Sequence, residues 1–159
     1  ALDAIRAVSA EVSSAIAGAG TVLCAADLRA AESAGAKFAV APGMSPGLLA
    51  AVEKSTLPFL PGAASASEAM TLFEHGFRWQ KFFPAEPAGG VDYLRGLAGP
   101  LPGIGFCPTG GVSPTNAAAY LALPNVICVG GSWLAPVGLV RAADWKAITA
   151  LAQAAARLR

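Results

Sequence analysis

The sequence predicts an α/β fold, a (β/α)8 TIM barrel with six of its eight strands in this chain. Three observations predict it. Short apolar runs recur at a steady step, each ends in a Gly, Pro or Thr break, and each break leads into an Ala/Leu-rich amphipathic segment. Strands alternating with helices argue for βα units on a parallel sheet. The runs are continuously apolar, as expected of strands covered on both faces.

The strand candidates are 15–19, 37–41, 57–60, 78–83, 103–107 and 125–129. Anchored on Ala17, Val40, Leu60, Phe83, Cys107 and Val129, the steps are 23, 20, 23, 24 and 22 residues. The breaks are Gly20-Thr21, Pro42-Gly43, Pro61-Gly62, Pro84-Ala85, Pro108-Thr109-Gly110-Gly111 and Gly130-Gly131-Ser132. Helical spacing follows at 25–34, 46–54, 65–75, 90–97 and 113–121, and the longest helix, 143–158, closes the chain. Ser113-Pro114 reads as a helix start, Ser as cap and Pro at the first helical position. An open doubly wound sheet is the rival. It shows one glycine-rich turn early in the chain, whereas the double glycines here come last, which favours a barrel with one shared mouth.

The chain opens inside a helix: Leu2, Ile5, Val8 and Val12 have helical spacing, and no strand precedes them. It begins with Ala rather than Met. Since this barrel needs eight strands, the expectation is a single barrel domain over 1–159 that is N-terminally incomplete. Its first two βα units are absent from these residues or carried by another chain. A helix without its strand cannot bury its apolar face, and a six-stranded sheet leaves two edges open.

The 159 residues suffice for one domain with a substantial core. Apolar residues make up 55% and charged residues 13%, with a net charge of +1. No basic run points to nucleic acid, and no apolar run is long enough to span a bilayer. Cys24, Cys107 and Cys128 are odd in number and far apart, with no CxxC spacing. With His75 as the only histidine, no metal site is expected. A reducing, cytoplasmic compartment fits these cysteines, and Cys107 and Cys128 read as small core residues. His75 precedes Gly76 at a helix end, where a cation suits the macrodipole, so it is a poor catalytic base.

Lys81 is the residue that points to chemistry. It lies in the apolar run Arg78-Trp79-Gln80-Lys81-Phe82-Phe83. A lysine in a buried strand loses its proton more easily, and a neutral amine attacks carbonyls to form a Schiff base. Trp79 and Phe83 share its side of the strand by the period-two rule, and are expected to exclude water and lower its pKa. The bland alternative is a strand-end lysine whose head reaches solvent. Two further features belong at the C-terminal strand ends, where barrel active sites lie: Thr109-Gly110-Gly111 and Gly130-Gly131-Ser132. Loops after the last two strands often bind phosphate through backbone N–H groups, although each double glycine alone reads as a turn. Thr21 stands at another strand end, where its hydroxyl either binds a carboxylate or bonds its own backbone. Glu86 lies near a helix start that favours a carboxylate regardless of catalysis.

Lys81-Phe82-Phe83-Pro84-Ala85-Glu86, Phe106-Cys107-Pro108-Thr109-Gly110-Gly111 and Gly130-Gly131-Ser132-Trp133 together resemble the 2-keto-3-deoxy-6-phosphogluconate (KDPG) aldolase family. Gly18-Ala19-Gly20-Thr21-Val22-Leu23 and Ala41-Pro42-Gly43 agree, so the resemblance covers the whole chain in order. It implies a class I aldolase of the Entner–Doudoroff pathway, usually a homotrimer. Such an enzyme cleaves KDPG to pyruvate and glyceraldehyde 3-phosphate and often accepts 4-hydroxy-2-oxoglutarate. By the resemblance Lys81 is the Schiff-base lysine and Thr21 holds the pyruvate carboxylate. Phe83 walls the pyruvate pocket, and Thr109 faces the substrate. Gly110, Gly111 and Ser132 match the family's phosphate binders, and Gly130 and Gly131, from the glycine turn beside Ser132, are further substrate-binding candidates. No cofactor and no metal are implied.

The departure concerns acid–base chemistry. The family's general acid/base is a glutamate on the second strand, followed closely by a substrate-binding arginine. No residue of this sequence is assigned to either role. General acid–base assistance is worth about 10²–10⁴-fold, so the chain as written is expected to be inactive or severely slowed. Two alternatives stand beside this one: an aldolase for the galactonate epimer, and a non-catalytic fragment or assembly scaffold derived from the same barrel.

Overall fold

In this computed structural model, which describes residues 1–158, the chain divides into a first unit, Ala1–Phe83, and a second that begins at Pro84. In the first unit the order is α1 (Leu2–Glu11), β1 (Gly18–Ala19), α2 (Ala25–Ser33), β2 (Phe38–Val40), α3 (Pro46–Val52), β3 (Phe59–Leu60), β4 (Gly62–Ala63), α4 (Ala66–Glu74) and β5 (Trp79–Phe82). Strands β1, β2 and β3 form a parallel sheet in that order, with Gly18 opposite Phe38 and Ala39 opposite Phe59. Strands β4 and β5 pair in parallel, with Gly62 opposite Lys81 and Ala63 opposite Phe82.

Small residues set the spacing of this unit. Ala19, Ala39 and Ala41 are buried under Leu28 of α2 and Leu48 and Val52 of α3. Each fully buried leucine or valine contributes about 1.5–3 kcal/mol. The Phe38 ring lies directly over Gly18, where any Cβ would collide with it. The expected strand at 57–60 continues past Pro61 as β4. Pro61 has no N–H to give, but its carbonyl accepts the Lys81 N–H at 2.7 Å, so the ladder toward β5 survives the proline. Helix α1 has no buried residue, and Leu2, Val8 and Val12 remain exposed.

Helix starts follow side-chain capping. Ser45 accepts the Leu48 N–H at 3.2 Å with Pro46 in the first turn of α3. Ser65 and Glu68 form a reciprocal capping box at α4. His75 ends α4 as its C-cap, and its Nδ1 stands 2.8 Å from Glu53 Oε1.

The second unit contains α5 (Gly90–Ala98), β6 (Gly105–Pro108), α6 (Ala117–Leu121), a 3₁₀ turn (Ser132–Leu134), α7 (Val137–Arg141) and α8 (Trp145–Ala155). Strand β6 is buried throughout, with Leu94, Leu97, Ala117 and Tyr120 also in this unit's interior. The strand expected at 125–129 does not form. Only two parallel bridges stand there, Phe106 with Val126 and Thr109 with Gly130. Between them one side advances three residues and the other four, so an extra residue interrupts the ladder as a bulge would. The expected helix at 113–121 starts late, at Ala117, because the Ser113 hydroxyl engages Thr115 and Asn116 instead of capping. Helix α7 was not expected, and α8 is shorter than the 143–158 expectation. Cys107 is buried as expected, but Cys128 is exposed, between the bridges at Val126 and Gly130. The described residues thus make a mixed α/β fold of short parallel strands, without a closed eight-stranded barrel among them.

Candidate active site

Lys81 is carried by the third residue of β5, whose pleat puts Gln80 and Phe82 on the buried side and Trp79 and Lys81 on the other. Lys81 is therefore half-buried, between the buried-strand lysine and the solvent-reaching head that the sequence left as alternatives. The buried face is pinned by Gln80, which is 0% exposed and donates through Nε2 to the carbonyls of Ala69 and Phe77, each at 2.9 Å. These bonds fix β5 against α4 and the turn that follows it, and so fix the face that presents Lys81. The Lys81 Nζ stands 4.5 Å from the centroid of the Phe83 ring, a cation–π distance. Trp79 is 56% exposed and so does not enclose the amine; of the two aromatics expected to exclude water, only Phe83 is in place.

Thr21 follows β1 with φ 60, one of two non-glycine residues with positive φ among those described. A β-branched residue in this region is an outlier costing about 1–3 kcal/mol. The Val22 N–H donates to the Val40 carbonyl at 3.0 Å and anchors the chain just beyond the strained residue. Thr21 itself is exposed.

In the second unit the two glycine turns come together at the Thr109–Gly130 bridge. The Gly130 N–H donates to the Pro108 carbonyl at 2.9 Å, and a Cβ on Gly130 would stand 2.6 Å from Thr109 Oγ1. Gly110 and Gly111 both have positive φ, 97 and 82, which glycine alone adopts without strain. Gly131 is extended, the Trp133 ring covers it, and Ser132 opens the 3₁₀ turn with its side chain exposed.

The carbonyls of this turn are all occupied. Thr109 O accepts from the Ala85 N–H at 2.8 Å, Gly110 O from the Glu86 N–H at 3.0 Å, and Gly111 O from Asn116 Nδ2 at 3.2 Å. Because a trans peptide places C=O and the next N–H on opposite sides, the Gly111 and Val112 N–H groups face away from those donors. Beneath the turn the Tyr120 hydroxyl donates to Glu86 Oε1. Burial, and then the Glu86 carboxylate, hold the Tyr120 phenol well above its ordinary pKa of 10. Tyr120 and Asn116 were missed from the sequence; both sit in an Ala-rich helical stretch that reads as packing.

A separate apolar cleft of about 470 Å³ lies against α3 and α4, lined by Met44, Leu49, Leu72 and His75, and holds none of the residues above.

The sequence model of the KDPG and KHG aldolase family matches residues 1–151. The chain belongs to this family. It is 53% identical over 155 residues to the 2-dehydro-3-deoxy-phosphogluconate aldolase of Pseudoalteromonas atlantica, covering 98% of this chain and 72% of that one. It is 49% identical to the KHG/KDPG aldolase of Escherichia coli, covering 98% and 73%. A crystal structure of the KDPG aldolase of Legionella pneumophila, with pyruvate captured at low pH as a covalent carbinolamine intermediate, superposes with a TM-score of 0.94. That pair is 41% identical, over 97% of this chain and 75% of the other. The expectation of two absent N-terminal βα units gains no support from a family match that starts at residue 1.

Proposed function

We propose that the chain is a class I aldolase that cleaves KDPG to pyruvate and glyceraldehyde 3-phosphate and also acts on 4-hydroxy-2-oxoglutarate. The observation that carries this reading is Lys81, held on a parallel strand beside the Phe83 ring at 4.5 Å, in a chain of the aldolase family. The Lys81 amine attacks the C2 ketone, a carbinolamine forms, and loss of water leaves an iminium. That iminium accepts the electron pair when the C4 hydroxyl loses its proton and the C3–C4 bond breaks. Glyceraldehyde 3-phosphate departs, the pyruvate enamine takes a proton at C3, and water releases pyruvate from the lysine. No residue of this sequence is assigned as the base.

Thr21 is the carboxylate binder in this reading, and its strained backbone is the supporting observation. Phe83 walls the pyruvate methyl. Thr109 faces the substrate, and Gly110, Gly111, Gly130, Gly131 and Ser132 bind its phosphate. Fixed carbonyls at 109–111 support that role, since they hold the following N–H groups in one orientation. A (β/α)8 barrel domain, read from the strand–helix repeat, a homotrimer, implied by the family resemblance, and a cytoplasmic setting, read from the cysteines, complete the same reading.

The test is to incubate the protein with pyruvate and borohydride and then read peptide masses. Hydride addition to the iminium leaves a stable secondary amine, expected on Lys81 and absent from Lys81→Arg. An unmodified Lys81 under saturating pyruvate would overturn the assignment.

A further inference from the structure

We propose that Glu86 and Tyr120 form a positioning pair that holds the Thr109–Gly111 turn in its phosphate-binding shape. The proposal rests on the reading of Gly110 and Gly111 as phosphate binders. Glu86 contacts the turn twice. Its N–H donates to the Gly110 carbonyl at 3.0 Å, and its side chain folds beneath Gly111, where a Cβ would stand 2.7 Å from Glu86 Cβ and 2.5 Å from Cγ. The end of that folded side chain is held by the Tyr120 hydroxyl. Tyr120 is 0% exposed, so the donor itself is rigid.

The surroundings are shaped for this pair. Gly90 opens α5 with φ 61, and a Cβ there would stand 3.4 Å from both Glu86 Oε1 and the Tyr120 hydroxyl. Asn116 completes the clamp from α6's leading edge by donating to the Gly111 carbonyl at 3.2 Å. A carboxylate tied to a buried phenol cannot swing toward the N–H side of the turn. Released, it would compete with a phosphate for those donors and repel it. Glu86 and Tyr120 need not touch the substrate; they act through the turn.

Two readouts separate this role from general folding. Binding of 3-phosphoglycerate, measured by titration calorimetry, reports the turn. Pyruvate trapping at Lys81 with borohydride reports a site that needs no phosphate. Tyr120→Phe is expected to weaken 3-phosphoglycerate by about tenfold, the scale of one hydrogen bond to a charged group, with the trapping rate unchanged. Glu86→Ala is expected to do the same. Glu86→Gln keeps an acceptor for the phenol and is expected to bind as tightly as the parent, or more tightly. Parent-like affinity in Tyr120→Phe, equal losses in both readouts, or a Gln variant as weak as the Ala variant would each overturn the pair. Failure of the parent to bind 3-phosphoglycerate while it traps pyruvate would instead sink the phosphate reading, and the pair with it.

Discussion

Gly62 lies opposite Lys81 in the β4–β5 ladder, and a Cβ at Gly62 would collide with the backbone carbonyl of Pro42. The strand that pairs with the lysine is therefore pressed against the turn after β2 at a distance only glycine permits. The neighbour is backbone, so it has little freedom to give. Gly62→Ala is expected to lower stability by about 1–3 kcal/mol and to slow borohydride trapping at Lys81. Urea unfolding and the trapping rate check it; parent-like values in both would show that β4 and the Pro42 turn separate freely.

Gln80 places the lysine from the other face of the same strand. Its two bonds to the Ala69 and Phe77 carbonyls are made in the interior, where a carbonyl stripped of its donor is costly. Gln80→Leu matches the volume but removes the donor, and is expected to cost about 1–3 kcal/mol. Gln80→Glu is expected to be worse, because a buried carboxylate would face two carbonyl oxygens. Thermal melts of the two variants give the order, and the reverse order would contradict the bonding described.

The two Ser-Pro dipeptides show how far this fold is legible in the sequence. Ser45-Pro46 caps α3 as the local pattern demands. Ser113-Pro114 carries the same pattern but makes a turn, because Thr115 and Asn116 compete for the serine hydroxyl and Asn116 Oδ1 takes the Ser113 N–H at 2.8 Å. The βα order, the parallel strands and the placement of Lys81 with Phe83 on one strand face follow from period and composition. The one-residue offset between the Phe106–Val126 and Thr109–Gly130 bridges does not, since register is settled by pairing rather than by either segment alone. Nor does the Glu86–Tyr120 bond, whose partners are 34 residues apart. Alternation tells which residues share the Lys81 face, not which face is covered, so the sequence left the enclosed and the solvent-reaching lysine both open.

Thr21 offers a test of strain against function. Replacing it with glycine removes a penalty of about 1–3 kcal/mol for a β-branched residue at φ 60. It adds back about 0.5–1 kcal/mol of glycine freedom in the unfolded chain. Thr21→Gly is expected to melt at or above the parent temperature while pyruvate trapping weakens, because the proposed carboxylate contact is lost. A clear drop in melting temperature would falsify the strained placement, and undiminished trapping would remove Thr21 from the pyruvate site.

The acid limit of the first unit is expected to depend on Glu68. Its carboxylate accepts the Ala64 N–H at 2.8 Å and the Ser65 N–H at 2.9 Å at the start of α4. The Ala64 N–H and the Ser65 side chain and N–H hold its pKa below the ordinary 4.5, with partial burial opposing them. A group whose folded pKa is depressed contributes stability that is present above its unfolded pKa. That contribution fades as pH falls through the folded value. The loss is therefore expected below about pH 4.5 and not in the neutral range. The side chain is largely in solvent, which keeps the effect small. Glu68→Gln preserves an acceptor for the capping box but cannot titrate, so its stability should fall less steeply on acidification than the parent's. Ser65→Ala removes the hydroxyl that accepts the Glu68 N–H and is expected to cost about 0.5–2 kcal/mol at pH 7. Urea midpoints for parent and Gln variant, taken from pH 7 down to pH 3, carry the test, and parallel curves would show that the capping carboxylate has no part in the acid response.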